Sequence, residues 1–352
     1  MTSILAVRSA FPAHRYPQAE LTRQIAELSR LSPARRALLE RLHGNAGVDT
    51  RHTVLPLPEY SALDGVGPAN DRYIDEATDL GERALRAALD AAGVAPADLD
   101  MLVVTSVTGV AVPSLDARLI PRLGLRPDVK RVPIFGLGCV AGAAGLGRVH
   151  DYLRAWPEHT AAVLAVELCT LTWRAGAVST ADMVVSGLFG DGAAALVAAG
   201  TPGARRGSRG PRVIATRSEV YPDSGEALGW RLGSDGFRIV LTADLSSVVE
   251  RRLGESVTAF LAGHGLIIDD IETWICHPGG PKVIDAARDS LKLPESAVAL
   301  SRRSLAEVGN LSSASVLHVL EKAGAVPQRE GSFGILIGLG PGVSAELVLL
   351  RW

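Results

Sequence analysis

An α/β fold, with helices layered around mixed sheets and built from two duplicated halves, follows from three features of the sequence. The Ala-rich segment 76–92 sets Leu80, Ala84, Leu85 and Leu89 at helical spacing, and Leu102-Val103-Val104-Thr105-Ser106-Val107 follows as a short buried strand. The same order returns later, where residues 253–262 read as a helix and Thr273-Trp274-Ile275-Cys276-His277 as a strand. A short acidic turn joins helix to strand both times, Ala97-Asp98-Leu99-Asp100 and then Asp269-Asp270-Ile271-Glu272. Each half also ends in glycine-rich strands. Leu188-Phe189-Gly190-Asp191-Gly192 leads into 193–199, and 333–339 and 344–350 flank Gly340-Pro341-Gly342 as a hairpin.

The break between the halves falls in residues 200–212, rich in Gly, Pro and Arg and without large apolar side chains, so the halves are expected at 1–205 and 206–352. The arginines there read as a solvated loop. With 352 residues, 47% hydrophobic but only 5% aromatic, the chain can fill a large core from Ala, Val, Leu and Gly. A formal charge of −2 gives no general attraction to nucleic acid or an anionic membrane, so an anionic ligand must meet a local positive cluster. The N-terminal stretch Met1-Thr2-Ser3-Ile4-Leu5-Ala6-Val7-Arg8 lacks a basic leader, and no apolar run nears a membrane span. A cytoplasmic protein is the expectation. Cys139, Cys169 and Cys276 are odd in number and far apart, fitting neither a disulfide framework nor a zinc site, so free thiols and no metal are expected.

Cys139 carries the first chemical signal. The segment Val132-Pro133-Ile134-Phe135-Gly136-Leu137-Gly138-Cys139 runs from an apolar strand through a glycine turn to a helix of very small residues. A thiol at that helix start feels the positive end of the dipole, which favours thiolate. A lone cysteine is commonly a small core residue, but the flanking glycines favour a nucleophile. Gly136, Gly138 and Gly142 approximate a dinucleotide turn, yet only Glu158 could serve as the acidic ribose ligand, and it lies on a loop, so a Rossmann site is rejected. His277 ends a strand and precedes Pro278-Gly279-Gly280-Pro281-Lys282, with Pro281 placed to open a helix. Taken locally, it reads equally as a half-buried structural histidine. His14, His43, His52, His150, His159, His264 and His318 lack such settings. Asn310 precedes an apolar-periodic helix, where capping is the ordinary role; a second role requires Ser312 or Ser313 to satisfy the helix terminus.

Together these segments resemble the type III polyketide synthases, the chalcone-synthase-like branch of the thiolase superfamily. The matching motifs run in order along the chain: Gly138-Cys139-Val140-Ala141-Gly142, then Leu188-Phe189-Gly190-Asp191-Gly192, His277-Pro278-Gly279-Gly280-Pro281, Gly309-Asn310-Leu311-Ser312-Ser313 and Gly338-Leu339-Gly340-Pro341-Gly342. The resemblance implies a thiolase-like αβαβα homodimer with a buried cavity reached through a pantetheine tunnel. It implies an acyl-CoA starter loaded on Cys139, and malonyl-CoA decarboxylated while His277 and Asn310 stabilise the enolate. Phe189 matches a gatekeeper, and Cys169, Thr172, Trp230 and Ser312 match cavity-shaping positions. Ile239 stands where plant members carry a second gatekeeper phenylalanine, a departure that fits an aliphatic starter and an alkylpyrone or alkylresorcinol product. Arg41 and Lys282, with Gly279 and Gly280, align with coenzyme A contacts. Most of the family's basic cluster there is absent, which keeps an acyl carrier protein open as donor. No cofactor beyond the coenzyme A thioester substrates is implied.

The nearest rival is a ketoacyl synthase III-like initiating enzyme, which shares fold and triad types but fits the Leu-Phe-Gly-Asp-Gly, Gly-Asn-Leu-Ser-Ser and Gly-Pro-Gly contexts less well. A Cys-His-Asn hydrolase of the papain sort lacks its local signature around Cys139.

Overall fold

The computed structural model describes residues 2–63, 65–173, 178–200, 210–225, 227–233, 236–242 and 244–352. The expected boundary between 205 and 206 lies outside the described residues. The first half contains strands β1 (Thr2–Ala10), β2 (His14–Pro17), β3 (Thr50–Thr53), β4 (Met101–Thr105), β5 (Lys130–Ile134), β6 (Thr160–Leu168) and β7 (Asp191–Gly200). Its helices are α1 (Gln18–Leu28), α2 (Pro33–Gly44), α3 (Val66–Ala92), α4 (Leu115–Leu123), α5 (Ala141–Ala155) and α6 (Thr180–Leu188). The second half has β8 (Arg212–Val220), β9 (Leu228–Gly233), β10 (Gly236–Leu241), β11 (Ile271–Cys276), β12 (Phe333–Gly340) and β13 (Ser344–Arg351). With them go α7 (Asp244–Ala262), α8 (Pro281–Ser290), α9 (Ala299–Val308) and α10 (Ser315–Gly324).

The duplication is legible in the strand order. Nine strands form one continuous mixed sheet in the order β11-β12-β13-β8-β1-β7-β6-β4-β5. The halves meet at β1 and β8, which pair antiparallel at only two positions, Thr2 with Val213 and Ser3 with Arg212. Outward from that seam both halves repeat one sequence of pairings, antiparallel, antiparallel and then parallel: β1-β7-β6-β4 on one side and β8-β13-β12-β11 on the other. The two acidic turns are the 3₁₀ turns Pro96–Asp98 and Ile268–Asp270, each delivering the chain into the parallel strand of its half.

Side-chain alternation along the strands builds the layers. Val103 and Val163 point to a central core shared with Leu146 and Val149 of α5 and Val316 and Leu320 of α10, while Ile275, Leu336 and Val348 reach that core from the second half. Leu102, Val104, Leu164 and Val166 point outward, onto Leu80, Leu85 and Leu89 of α3 and Leu119 of α4. In the second half Trp274, Ile335 and Leu347 pack outward on Leu253 and Val257 of α7 and on Val283 of α8. Helices, half-sheet, helices, half-sheet and helices therefore stack as the αβαβα arrangement. Strands buried on both faces read as continuous apolar runs, which is why β6 and β7 show no polar alternation. Helices α3 and α7 begin ten and nine residues before the segments read from periodicity, at Val66 and Asp244. Val132, Pro133 and Ile134, read as an apolar strand, belong to β5, a solvent-facing strand at the sheet edge.

Candidate active site

The helices of the central layer carry corresponding turns at their N-termini. A 3₁₀ turn, Gly138–Val140, precedes α5 and holds Cys139, and a second, Ser312–Ala314, precedes α10 just after Asn310. The two helices approach so closely that a Cβ on Gly142 would sit 2.2 Å from the Ser313 carbonyl oxygen, so only glycine fits there. That contact brings the Cys139 and Asn310 turns side by side. His277 follows the last residue of β11, and its N–H donates to the Ile337 carbonyl (2.9 Å), extending the ladder with β12.

Cys139, His277 and Asn310 line one cavity of about 40 Å³, with Phe189, Leu188, Leu228, Ile239, Gly279, Leu339 and Val343 among its other walls. All three are buried, at 8%, 3% and 1% exposure. The Cys139 thiol donates to Ser312 Oγ at 3.5 Å. The edge of the His277 ring runs beside Gly279, and Asn310 Nδ2 donates to the Gly279 carbonyl at 3.3 Å. His277 Nδ1 meets no hydrogen-bond partner among the described residues.

Asn310 is not the helix cap that its sequence context suggested: the N-cap positions of the 3₁₀ turn and of α10 are Leu311 and Ala314, and the Asn310 carboxamide is held instead by the turn that follows it. Its Oδ1 accepts from the Ser312 N–H (2.8 Å) and from Ser315 Oγ (3.1 Å), while Ser315 Oγ accepts from the Leu311 N–H (2.7 Å). Because Oδ1 is committed to those donors, the amide must turn its nitrogen toward the Gly279 carbonyl and the cavity. These bonds within the turn therefore fix the orientation of the carboxamide.

Burial dominates the ionisation of the site. It pushes the Cys139 thiol up to about 12, with hydrogen bonding to the Ser312 and Asn310 side chains acting the other way and the Glu167 carboxylate adding to the rise. The helix-terminus argument for a thiolate is thus outweighed in the resting site. The same burial takes His277 down to about 4, leaving the imidazole neutral. In the resting site each charge alone is therefore disfavoured.

Residues expected to shape the cavity divide between two spaces. Thr172 and Trp230 line a neighbouring cavity, also about 40 Å³, with Ile25, Leu28, Trp173 and Met183. Ile239 borders both, and is the wall between them. Cys169 lines neither: it is buried beside Cys139, Glu167 and Asp191, where burial drives its thiol well above the usual range. Arg41 and Lys282 are exposed and outside the cavity lining, at the end of α2 and the start of α8. Those segments touch, since a Cβ on Gly47 would lie 3.1 Å from Pro281 Cγ. Gly279 lines the cavity, and Gly280 caps α8 at φ 146° without entering it.

A buried polar cluster supports the site that sequence reasoning did not single out. Glu167 is fully buried; its Oε1 accepts from Ser313 Oγ (2.5 Å), and its Oε2 from the Val107 N–H (3.1 Å) and Thr108 Oγ1 (3.0 Å). Thr105 Oγ1 also donates to Ser313 Oγ at 3.1 Å. These bonds pin the Asn310 turn to the ends of β4 and β6. A lone Glu in the otherwise apolar run of β6 was the available signal.

The sequence profile of chalcone and stilbene synthases, N-terminal domain, matches residues 1–202, and that of the C-terminal domain matches residues 212–352. The chain belongs to the chalcone and stilbene synthase family. This type III polyketide synthase is 56% identical over its full length to 1,3,6,8-tetrahydroxynaphthalene synthase of Streptomyces peucetius subsp. caesius, covering 93% of that protein. It is 32% identical to a putative chalcone synthase of Bacillus subtilis, covering 100% of this chain and 99% of the other. The crystal structure of 1,3,6,8-tetrahydroxynaphthalene synthase from Streptomyces coelicolor A3(2), a bacterial type III polyketide synthase, superposes with a TM-score of 0.92 over 99% of both chains at 31% identity. As an acyltransferase of this family, the synthase has the αβαβα framework that its motif order implied.

Proposed function

We propose that this synthase condenses malonyl units, by decarboxylation of malonyl-CoA, onto a short acyl group held on Cys139, and releases a hydroxylated aromatic product. The observation that carries the reading is the convergence of Cys139, His277 and Asn310 on one buried cavity. Cys139 Sγ attacks the starter thioester carbon, its proton passes to His277, and coenzyme A leaves as the thiolate. Malonyl-CoA then loses carbon dioxide, and the electron pair of the broken C–C bond becomes the enolate. The His277 imidazolium and Asn310 Nδ2 donate to the enolate oxygen, where negative charge grows only as the bond breaks. The enolate carbon attacks the Cys139 thioester and expels the thiolate, which is again paired with the imidazolium, so the site regains its starting charge.

One observation favours a short starter over the aliphatic chain inferred from Ile239. The relative at 56% identity is named for a naphthalene nucleus bearing hydroxyls at alternate carbons and no alkyl chain. The exposed apolar side chains Val110, Val112 and Leu137, gathered where β4 and β5 end, suit a homodimer contact in this reading.

The test is product mass spectrometry with malonyl-CoA, alone and with acyl-CoAs of increasing length, and without carrier protein. The expected outcome is a naphthalene-type product from malonyl-CoA alone, none from Cys139→Ala, and carbon dioxide release lowered about 10²-fold in Asn310→Ala. Products only from long acyl-CoAs would restore the alkylpyrone or alkylresorcinol reading. A single condensation that needs acyl carrier protein would instead favour the ketoacyl synthase III-like rival.

A further inference from the structure

Behind the cavity wall lies a buried cation that the reaction above does not use. Arg51, in β3, is fully buried, and its Nη1 donates to the Phe189 carbonyl at 2.5 Å. Its Nε donates to Gln18 Oε1 at 3.1 Å, and Gln18 Nε2 donates in turn to the Gly187 carbonyl at 2.7 Å. The guanidinium faces Asp191, whose carboxylate accepts from the Val54 and Thr170 N–H groups at 2.7 and 2.8 Å, and it stands 5.8 Å from the Trp173 ring centre.

The segment gripped in this way is bonded to the one carrying Asn310. The Gly190 N–H donates to the Asn310 carbonyl (3.0 Å), and the Asn310 N–H donates to the Leu188 carbonyl (2.8 Å), so Phe189 and Asn310 form a parallel bridge. The Arg51 stem lies against that bridge. A Cβ on Gly309, at φ 73°, would come 2.9 Å from Arg51 Cδ and 2.7 Å from the Leu188 oxygen; on Gly190 it would come 2.7 Å from the Val308 oxygen and 3.4 Å from Arg51 Cβ. Glycine in both motifs is thus what lets the two segments close over Arg51.

We propose that Arg51 is a positioning residue for the condensation, setting Phe189 of the cavity wall and Asn310 of the enolate site at one fixed separation. It touches no reacting atom in the mechanism above and acts through the backbone of both residues. The inference rests on the roles assigned to Phe189 and Asn310 under the proposed function. A planar fork suits the task, because its two bonds, to Phe189 and Gln18, hold one rigid geometry, whereas a lysine makes a single-point contact. Burial lowers the guanidinium only to about 10, so it stays charged at neutral pH. Burying that charge is costly, and an apolar side chain of similar volume is often tolerated for stability alone, which separates positioning from bulk support.

The experiment compares Arg51→Met, Arg51→Lys and Gln18→Leu with the unaltered chain, on malonyl-CoA. It reads kcat and KM for carbon dioxide release, the product profile by mass spectrometry, and iodoacetamide labelling of Cys139. For folded Arg51→Met, kcat is expected to fall about 10²-fold, the cost of misplacing a reacting group by about an ångström, with KM within about threefold and Cys139 labelling unchanged. Arg51→Lys, which keeps the charge, should recover part of that loss, and Gln18→Leu should fall between it and the unaltered chain, with truncated products in both. Labelling and kcat that drop in equal proportion, or a folded Arg51→Met with unaltered kcat and products, would overturn the proposal. If Arg51→Met does not fold, Arg51→Lys and Gln18→Leu decide: unaltered kcat and products in both overturn it equally. Failure of the unaltered chain to release carbon dioxide from malonyl-CoA would instead sink the underlying reading of the reaction.

Discussion

Asn310 and His277 show how single side chains acquire chemistry from what surrounds them. The amide oxygen of Asn310 is consumed by the Ser312 N–H and Ser315 Oγ, so its donor end, which also holds the Gly279 carbonyl, is the end turned to the cavity. Asparagine suits that division because it carries an acceptor and donors on one planar group. For His277 the controlling factor is burial, which takes the ring down to about 4 while pushing Cys139 up to about 12. Removing the ring takes away the group to which the proposed reaction passes the thiol proton. In His277→Gln, iodoacetamide labelling of Cys139 at pH 7 is expected to slow at least about tenfold, because only the thiolate reacts. Since pH 7 to 9 lies wholly below a thiol pushed to about 12, the thiolate fraction should climb about tenfold per pH unit across that range. A rate that levels off below pH 8 would mean that Ser312 and the α5 terminus hold the thiolate without the imidazole.

Among the elements, α5 and α10 carry the site because they are the packed centre of the molecule. Their small residues were legible in the sequence, and the structure explains the need for them: Gly142 faces the Ser313 carbonyl with no room for a methyl group. Gly142→Ala must therefore drive the helices apart or distort the turn between Asn310 and Ser315. It is expected to cost roughly 2–3 kcal/mol of stability, read as a lowered urea midpoint at unchanged m-value. An unchanged midpoint would mean that the helices slide without penalty, and that their close approach does not hold the site. Helix and strand positions were readable where periodicity was strong, as in segments 76–92 and 273–277. The early turns of α3 and α7 lay outside the segments read: α3 opens with Val66, Gly67 and Pro68, which carry no helical repeat, whereas Leu245, Val248 and Val249 at helical spacing were the available signal for α7.

For the molecule as a whole, the nine-stranded sheet ends at β5, whose side chains are half-exposed or exposed. Val112, 90% exposed, and Val110 and Leu137, at 49% and 40%, lie near that edge. An open sheet edge beside apolar side chains is the kind of surface a second copy covers. Val112→Asp would bury a charge in such a contact, and is expected to shift a dimer toward monomer in light scattering at micromolar concentration. A monomer for the unaltered chain, or an unshifted dimer for the variant, would place the contact elsewhere or remove it.

By itself the sequence determined the duplicated α/β plan, the αβαβα layering implied by five ordered motifs, and the identities of Cys139, His277 and Asn310 as the residues to examine. Those are local properties, written in periodicity, in glycine placement and in short runs of residues. Tertiary structure alone decided that β1 and β8 join the halves into one sheet, that Cys169 lies outside the cavity, that Ile239 divides two cavities, and that Arg51, Glu167 and Asp191 stand behind the site. Each of these depends on which distant segments face one another, and on how much water their packing excludes. Burial is a property of the assembled layers, so the ionisation of a thiol or an imidazole within them cannot be read along the chain.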